Sequence, residues 1–417
     1  MLSRRQLLKG IGGGSLAVGS ASLAGGLALP GIAEAADERV PLAPGLPPGV
    51  RDEAILDALP GKVPLIKLAY RPPNYETPVH YLGTTFTPNN AFFVRYHLAV
   101  IPEVEAASWR LSVGGESAER PLTLTLDQLR NDYPTVEIAA VCQCSGNRRG
   151  LSQPHVPGVQ WGYGAMGNAK WKGARLKDIL ERAGIKKDAV EIVMDGADGP
   201  VVEKTPDFVK SIPAWKALDE NTLVAYEMNG EPLPHFNGFP ARVVVPGWTA
   251  TYWVKHVTTI NAIAKPFDGF WVKSAYRIPT GKFPVVQRFA TQETEANTPI
   301  TEMVINSLIT SITDGQRVAV GKPLDVRGVA WDAGYGIQTV EISLNGGRSW
   351  QSASLGEDAG RFAFRTWRYR LTPQRAGNLT VMAKATNKIG QSQASELIFN
   401  AAGYHNNVMQ RITVRAA

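Results

Sequence analysis

Glycine occurs 41 times and proline 29 times among the 417 residues, scattered with no repeat period. Proline inside a helix removes a hydrogen bond and clashes with the preceding turn, and glycine weakens the helix interior. Interruption this frequent excludes a long-helix protein and predicts short elements joined by many turns. Hydrophobic residues at 44% and charged residues at 19% supply enough apolar surface for packed cores, which argues against a disordered chain. The length accommodates two or three domains. A formal charge of +7 could suit an acidic partner, yet no run dense in Lys and Arg follows residue 9. Nucleic acid is therefore not an expected partner.

The residue pattern divides the chain into four segments. Residues 1–36 read as an export signal: Ser3-Arg4-Arg5-Gln6-Leu7-Leu8-Lys9 is a twin-arginine pattern, Ile11 to Leu29 is apolar, and Ala33-Glu34-Ala35 offers a cleavage site. Gly12, Gly13, Gly14 and Pro30 make this a poor permanent span, so a periplasmic protein without a stable membrane anchor is expected. Residues 37–85 hold Pro41, Pro44, Pro47, Pro48, Pro60, Pro64, Pro72, Pro73 and Pro78 and read as an extended arm wrapping a domain. Residues 86–297 mix strands with short helices, such as Glu137–Val141, Ala189–Val193, Ala241–Val245, and a helix Leu176–Ala183 stopped by Gly184. Strand and helix do not alternate over any sustained length, so a mixed α+β domain is expected, not a doubly wound one. In residues 298–417, Leu324–Ala330, Thr339–Leu344, Phe362–Leu371 and Leu379–Thr386 alternate with period two, and Asn345-Gly346-Gly347 closes a hairpin. That segment is expected to be an all-β immunoglobulin-like sandwich serving as a partner or dimerisation unit. Function is therefore sought in the middle domain.

Only two cysteines are present, Cys142 and Cys144, in Val141-Cys-Gln-Cys-Ser-Gly-Asn-Arg-Arg-Gly150. Their number excludes a disulfide scaffold, a four-cysteine zinc site and a C-x-x-C-H haem attachment, and their spacing resists a mutual bridge. Cys144 would leave the strand into the Ser-Gly-Asn turn, with Arg148 and Arg149 nearby to stabilise its thiolate. Cys142, inside the apolar strand, reads as a core residue. On spacing alone, two ordinary buried cysteines fit as well.

The Cys144-Ser145-Gly146-Asn147-Arg148-Arg149 run resembles the molybdenum-ligand motif of the sulfite oxidase family, and within it the bacterial periplasmic sulfite dehydrogenases. Phe92-Phe93-Val94-Arg95-Tyr96-His97 resembles the family's F-x-R-x-H segment. Met228–Leu233 through Asn237-Gly238-Phe239-Pro240-Ala241-Arg242, and Gly247-Trp248 through Tyr252-Trp253-Val254-Lys255, resemble its central cofactor-binding segment. Gly403–Val408 resembles part of its dimerisation domain. The four motifs occur in family order and span nearly all of the chain beyond the signal.

The resemblance implies a sulfite-oxidase-type molybdopterin domain in which Cys144 binds molybdenum and the cofactor's dithiolene supplies the other soft ligands. It implies cofactor contacts from Phe93, Val94, Arg95, His97, Asp198, Asn237, Arg242, Trp253, Val254 and Lys255, with Arg242 and Lys255 on the phosphate. Vertebrate members carry His where this chain has Asn237. Catalytic roles fall to Arg95 and Arg149 as anion binders, Tyr276 as hydrogen-bond donor and proton relay, and His97 holding Arg95 and Tyr276 in register. Without the resemblance, Arg242 would read as a solvated arginine, His97 as a core histidine and Tyr276 as a packed aromatic. His80, His155, His235, His256 and His405 show no ligand spacing. The implied reaction is oxidation of sulfite to sulfate with oxygen from water. Electrons would pass singly to an external c-type cytochrome, because no haem motif lies in this chain; a homodimer or a heterodimer with that cytochrome is the implied assembly. Two other readings are a periplasmic methionine sulfoxide reductase of the same superfamily and a non-enzymatic immunoglobulin-like binding protein.

Overall fold

Among the described residues the longest helix, Leu176–Arg182, has only seven residues. The computed structural model describes residues 39–41, 53–280 and 292–417, so the twin-arginine segment lies outside the described residues. Helices end early for local reasons. Leu176–Arg182 stops against Gly184 at φ +68°, and Leu126–Asn131 is opened by a Thr125–Gln128 capping box. No described helix is long and apolar enough to cross a membrane.

The described residues of the proline-rich stretch form four short strands, which pair, and a 3-10 turn at Val79–Leu82. Arg39–Pro41, Glu53–Asp57, Leu65–Ala69, Asn74–Glu76 and Val94–Arg95 form one antiparallel meander. The final pairing sets Asn74 opposite Arg95 and Tyr75 opposite Val94, which fixes the Phe92–His97 segment from one side.

Two further sheets frame the centre. One runs in the order Glu231–Pro232, Leu223–Met228, Met166–Arg175, Thr135–Gln143, with Arg242–Val244 also pairing on Leu223–Met228. The other runs Lys210–Pro213, Glu191–Gly196, Val257–Ile263, Leu111–Gly114, Leu122–Leu124, with the Val257–Ile263 and Leu111–Gly114 pair parallel. Both sheets feed one apolar core that includes Trp161, Trp171, Met194, Val243, Trp253 and Ile260. Mixed pairing and short helices match the expected α+β class, although sheet dominates it.

From Asn306 onward the chain is all-β. One sheet orders Asn306–Ile309, Leu324–Trp331, Arg365–Leu371, Ser354–Asp358; the other orders Arg317–Val318, Arg411–Ala416, Gly377–Asn387, Ile337–Ser343, Gln351–Ser352. Val326, Trp367 and Leu371 from the first meet Val340, Ile342, Val381, Ile412 and Val414 from the second in one core. The Asn345-Gly-Gly turn is realised with Gly346 at φ +72° and Gly347 at φ +92°, values that only glycine adopts freely. The first sheet also presents Leu308, Val329, Trp331 and Phe364 to Leu82, Val141, Tyr163 and Met166. The Trp331 indole donates to Gln143 Oε1 at 2.7 Å, and Val141 N–H donates to Phe362 O at 2.9 Å. The β unit thus braces the strand that delivers Cys144.

Candidate active site

Strand Thr135–Gln143 ends one residue before Cys144, and backbone hydrogen bonds fix the turn from Cys144 to Arg148. Cys144 N–H donates to Ala165 O at 2.9 Å, Asn147 N–H to Cys144 O at 3.0 Å, and Arg148 N–H to Gly162 O at 2.8 Å. Asn147 Oδ1 accepts from Ala165 N–H at 3.1 Å. The opposing strip is held in turn by the buried Glu76 carboxyl, which accepts from Gly162 N–H at 2.7 Å and Gly164 N–H at 2.8 Å. Burial pushes Glu76 up to about 7 against those bonds. The Cys144 sulfur is therefore carried on a hydrogen-bonded turn at the wall of a cavity.

The cavity collects positive charge. Arg95, Arg242 and Lys255 line it, and Asp198 is the single carboxylate on its wall. The Arg242 guanidinium is 4% exposed, donates to Asn237 O and Trp253 O at 3.0 Å each, and lies over the Trp171 and Trp253 rings at 5.1 and 5.7 Å. No described carboxylate pairs with it, and its Nε has no hydrogen-bond partner. Burial pushes the Lys255 ammonium well below its ordinary range, opposed by Asp198, while burial raises the Asp198 carboxyl against the pull of Lys255. Lys255 donates to Phe236 O at 3.4 Å and sits over the Tyr96 ring.

A second wall is aromatic and titratable. His97 Nε2 is hydrogen-bonded to the Tyr276 hydroxyl, and its ring stacks on Phe208 at 3.7 Å and 9°. Burial, then Arg95, Lys255 and Lys210, push His97 well below its usual range and keep the imidazole neutral. Tyr276 adopts φ +59°, a strained value for a bulky residue that persists where the surroundings enforce it. Its ring stacks on Tyr404 at 5.6 Å and 9°. Burial raises its phenol, opposed by the Arg95 and Arg149 guanidinium groups.

Phe93, Arg95, His97, Cys144, Asp198, Asn237, Arg242, Trp253, Lys255 and Tyr276 all line this one cavity. Val94, Val254 and Arg149 do not. Val94 packs in a separate cluster with Leu65, Tyr75 and Tyr96 because its strand register turns it there. Val254 offers its carbonyl to Val243 N–H at 2.8 Å. Arg149 donates to Ala402 O at 2.7 Å and Val159 O at 3.0 Å, and it presses on Gly146 so closely that a Cβ there would meet the guanidinium at 2.5 Å. The expectation that Arg148 steadies the Cys144 thiolate is corrected. Arg148 donates to Ser307 O at 2.7 Å and Val408 O at 2.9 Å and so ties the turn to the C-terminal unit. His97 meets Tyr276 as expected, whereas Arg95 is held by Asn74 Oδ1 at 3.0 Å and by Tyr96 O. The Asn237 amide donates to Phe93 O at 3.1 Å and accepts from Lys62 Nζ at 2.5 Å. Cys142 is buried as expected yet also lines this cavity, accepting from the Arg242 guanidinium at 3.9 Å, and burial pushes its thiol up to about 11.

Sequence reasoning missed Lys62, Phe208, Ser145 and Thr251. Ser145 and Thr251 lay inside recognised motifs; Lys62 and Phe208 are single residues with no spacing to mark them. Ser145 Oγ and Thr251 Oγ1 are buried at the cavity without a hydrogen-bond partner. No cluster of three His, Cys, Asp or Glu able to hold a metal occurs among the described residues. A metal here would take one thiolate from Cys144 and its remaining ligands from elsewhere. Orphaned hydroxyls and cations without carboxylate partners fit a polar, phosphate-bearing group that brings its own sulfur donors.

Comparison with known proteins agrees with that fit. Residues 97–271 match the model of an oxidoreductase molybdopterin binding domain, and residues 297–417 match that of a Mo-co oxidoreductase dimerisation domain. Human mitochondrial sulfite oxidase is 34% identical over 85% of this chain and 66% of its own length. Sulfite oxidase of Arabidopsis thaliana is 32% identical over 88% of this chain and 98% of its length. The sulfane dehydrogenase SoxCD from Paracoccus pantotrophus superposes with a TM-score of 0.71 at 25% identity, covering 95% of this chain and 93% of that one.

Proposed function

Because the chain belongs to the sulfite oxidase family of molybdopterin enzymes, we propose that it oxidises sulfite to sulfate with oxygen derived from water. The observation carrying this reading is the Cys144 sulfur, carried on a hydrogen-bonded turn at the wall of a pocket in which Arg95, Arg242 and Lys255 outnumber Asp198. When bound, the molybdenum–molybdopterin group supplies two-electron oxygen-atom transfer and releases the electrons singly. Cys144 would hold the metal, while Arg242 and Lys255 would neutralise the pterin phosphate from the Trp253 side. Ser145 and Thr251 have hydroxyls free to donate to the cofactor's polar edge. Arg95 would bind the sulfite anion, and Tyr276 would donate a hydrogen bond to the reacting oxygen. His97, kept neutral, can accept the Tyr276 proton and return it.

Residues 1–36 direct export of the folded protein to the periplasm by the twin-arginine route. The C-terminal unit is an immunoglobulin-like sandwich that mediates a homodimer or a heterodimer with a c-type cytochrome, the electron acceptor. A sulfane substrate, as named for the Paracoccus relative, is the second reading. The Phe208 ring, stacked on His97 at the pocket wall and backed edge-on by Trp271, favours it, since it gives a neutral sulfur chain an apolar surface. Purified holoprotein should contain close to one molybdenum per chain and reduce cytochrome c with sulfite. A molybdenum-loaded protein inert to sulfite but active on a persulfide would establish the second reading, and one active only on methionine sulfoxide would overturn both.

A further inference from the structure

Lys210 is fully buried, at 0% exposure. It opens strand Lys210–Pro213, paired with Glu191–Gly196 so that Lys210 faces Met194. No described carboxylate lies within ion-pair distance of its ammonium. That ammonium donates to Trp271 O at 2.5 Å and lies over two phenol rings, Tyr252 at 4.7 Å and Tyr276 at 5.1 Å. Trp271 in turn packs against His97 at 5.1 Å and Phe208 at 5.3 Å. A buried ammonium with one carbonyl partner and no counter-ion is costly, and its position behind the pocket wall gives that cost a use.

We propose that Lys210 is a positioning residue for the anion site, charging the Tyr276–His97 couple from behind through the Tyr276 ring and the Trp271 carbonyl. The inference rests on Arg95 and Tyr276 being the substrate-facing groups. A cation on the π face of a phenol strengthens its hydroxyl as a hydrogen-bond donor, and a positive charge one ring away from the pocket favours an anion within it. The same charge helps keep His97 neutral, together with Arg95 and Lys255. The titratable groups facing Lys210 are Glu191 from the adjacent strand, Tyr252, Tyr276 and His97. Burial lowers Lys210 to about 7 against the opposing pull of Glu191. Its charge is thus present below about pH 7 and fades above it, which separates an electrostatic role from a purely structural one.

The test measures binding of inorganic sulfate to the holoprotein by isothermal titration calorimetry at pH 6 and pH 8.5. Sulfate keeps its charge across this range. Lys210→Met removes both donor and charge, whereas Lys210→Gln keeps a donor for the Trp271 carbonyl and removes the charge. Both variants should bind sulfate roughly three- to tenfold more weakly than the parent at pH 6, a fraction of the bare attraction because the intervening ring, the other pocket charges and solvent screen one remote charge. At pH 8.5 the three proteins should converge. Should Lys210→Met fold poorly, Lys210→Gln alone decides the matter. Equal affinities at pH 6, a loss identical at both pH values, or full restoration by Lys210→Gln would each overturn the inference. Lys210-dependent sulfate binding in a holoprotein that leaves sulfite unoxidised would remove the functional reading and keep this one. A sulfite-oxidising enzyme whose sulfate affinity ignores Lys210 would do the reverse.

Discussion

Replacing Arg242 by methionine separates what this cation does for the fold from what it does for the cofactor. Its two bonds to the carbonyls of Asn237 and Trp253, each 3.0 Å, hold together the two segments that carry Asn237 and Lys255. Each charge-assisted bond of this kind contributes about 1.5–3 kcal/mol, and methionine leaves both carbonyls buried without a partner. That loss falls on the protein with or without cofactor. A further loss of about 1.5–3 kcal/mol, from one phosphate contact, falls only on the loaded protein, which corresponds to roughly ten- to a hundredfold weaker cofactor retention. The unloaded protein also gains something, because an uncompensated buried cation is removed. Arg242→Met should therefore lower the melting temperature of the loaded protein more than that of the unloaded one. It should also be purified with little molybdenum and pterin, while Arg242→Lys, which keeps charge without the two-pronged geometry, should fall between. Metal content by mass spectrometry, pterin fluorescence and melting of both forms measure this. Full molybdenum content with equal destabilisation of the two forms would refute the reasoning and leave Arg242 as a strut.

Cys144→Ser should abolish sulfite oxidation and molybdenum loading while Cys142→Ser is largely tolerated; the reverse pattern, read by activity and metal content, would exchange their roles. Arg95→Met should raise the sulfite Michaelis constant by roughly one to two orders of magnitude, or about 1.4–2.8 kcal/mol, whereas Tyr276→Phe should mainly lower turnover, as steady-state kinetics would reveal. Arg4→Lys with Arg5→Lys should leave folded protein in the cytoplasm, and normal periplasmic activity of that double variant would show that the segment is not a twin-arginine signal. His256, which accepts from the Tyr96 hydroxyl at 2.7 Å and bonds Phe239 O at 2.6 Å, is lowered to about 3 by burial. The unfolded chain binds a proton there below about pH 6.5 and the folded chain does not, so this part of the stability is complete above about 6.5 and is lost as pH falls toward about 3. Melting temperature should consequently drop on acidification, and His256→Gln should flatten that slope.

Local pattern was enough wherever an element is specified by its own residues. Leu176–Arg182 followed by Gly184 reads directly from amphipathic spacing and a left-handed stop, and the strands 324–331 and 377–387 read from alternation. The pairing of the proline-rich stretch was not legible, because the partner that orders Asn74 is Arg95, and nothing in either neighbourhood encodes the other. The same limit governed the site. Cys144, Arg242 and Lys255 were found through motifs and Tyr276 through the role the resemblance implies, and all line one cavity. Arg148 and Arg149 were placed by adjacency to Cys144, but adjacency in a turn does not set direction. Arg148 sits at φ +69°, and both guanidinium groups find backbone carbonyls at distance, among them Val408 O and Ala402 O. Lys62 and Lys210 were invisible because burial, not spacing, gives them meaning.

Those buried cations explain a feature that no single residue does. Arg95, Arg242 and Lys255 line the cavity opposite one carboxylate, and Lys62 and Lys210 stand behind its walls, the latter pair lowered to about 7 by burial. A pocket built this way is costly on its own, since buried Arg242, Lys62 and Lys210 shed hydration with no ion-pair partner among the described residues. An anionic cofactor relieves several of them at once, so its binding free energy adds directly to the stability of the loaded fold. Folding and loading are then coupled through charge, with no disulfide available to share the work, because Cys142 and Cys144 are both free. A protein stabilised in this manner gains most by acquiring its cofactor before it crosses a membrane. That would give the export in the folded state proposed for residues 1–36 a physical sense.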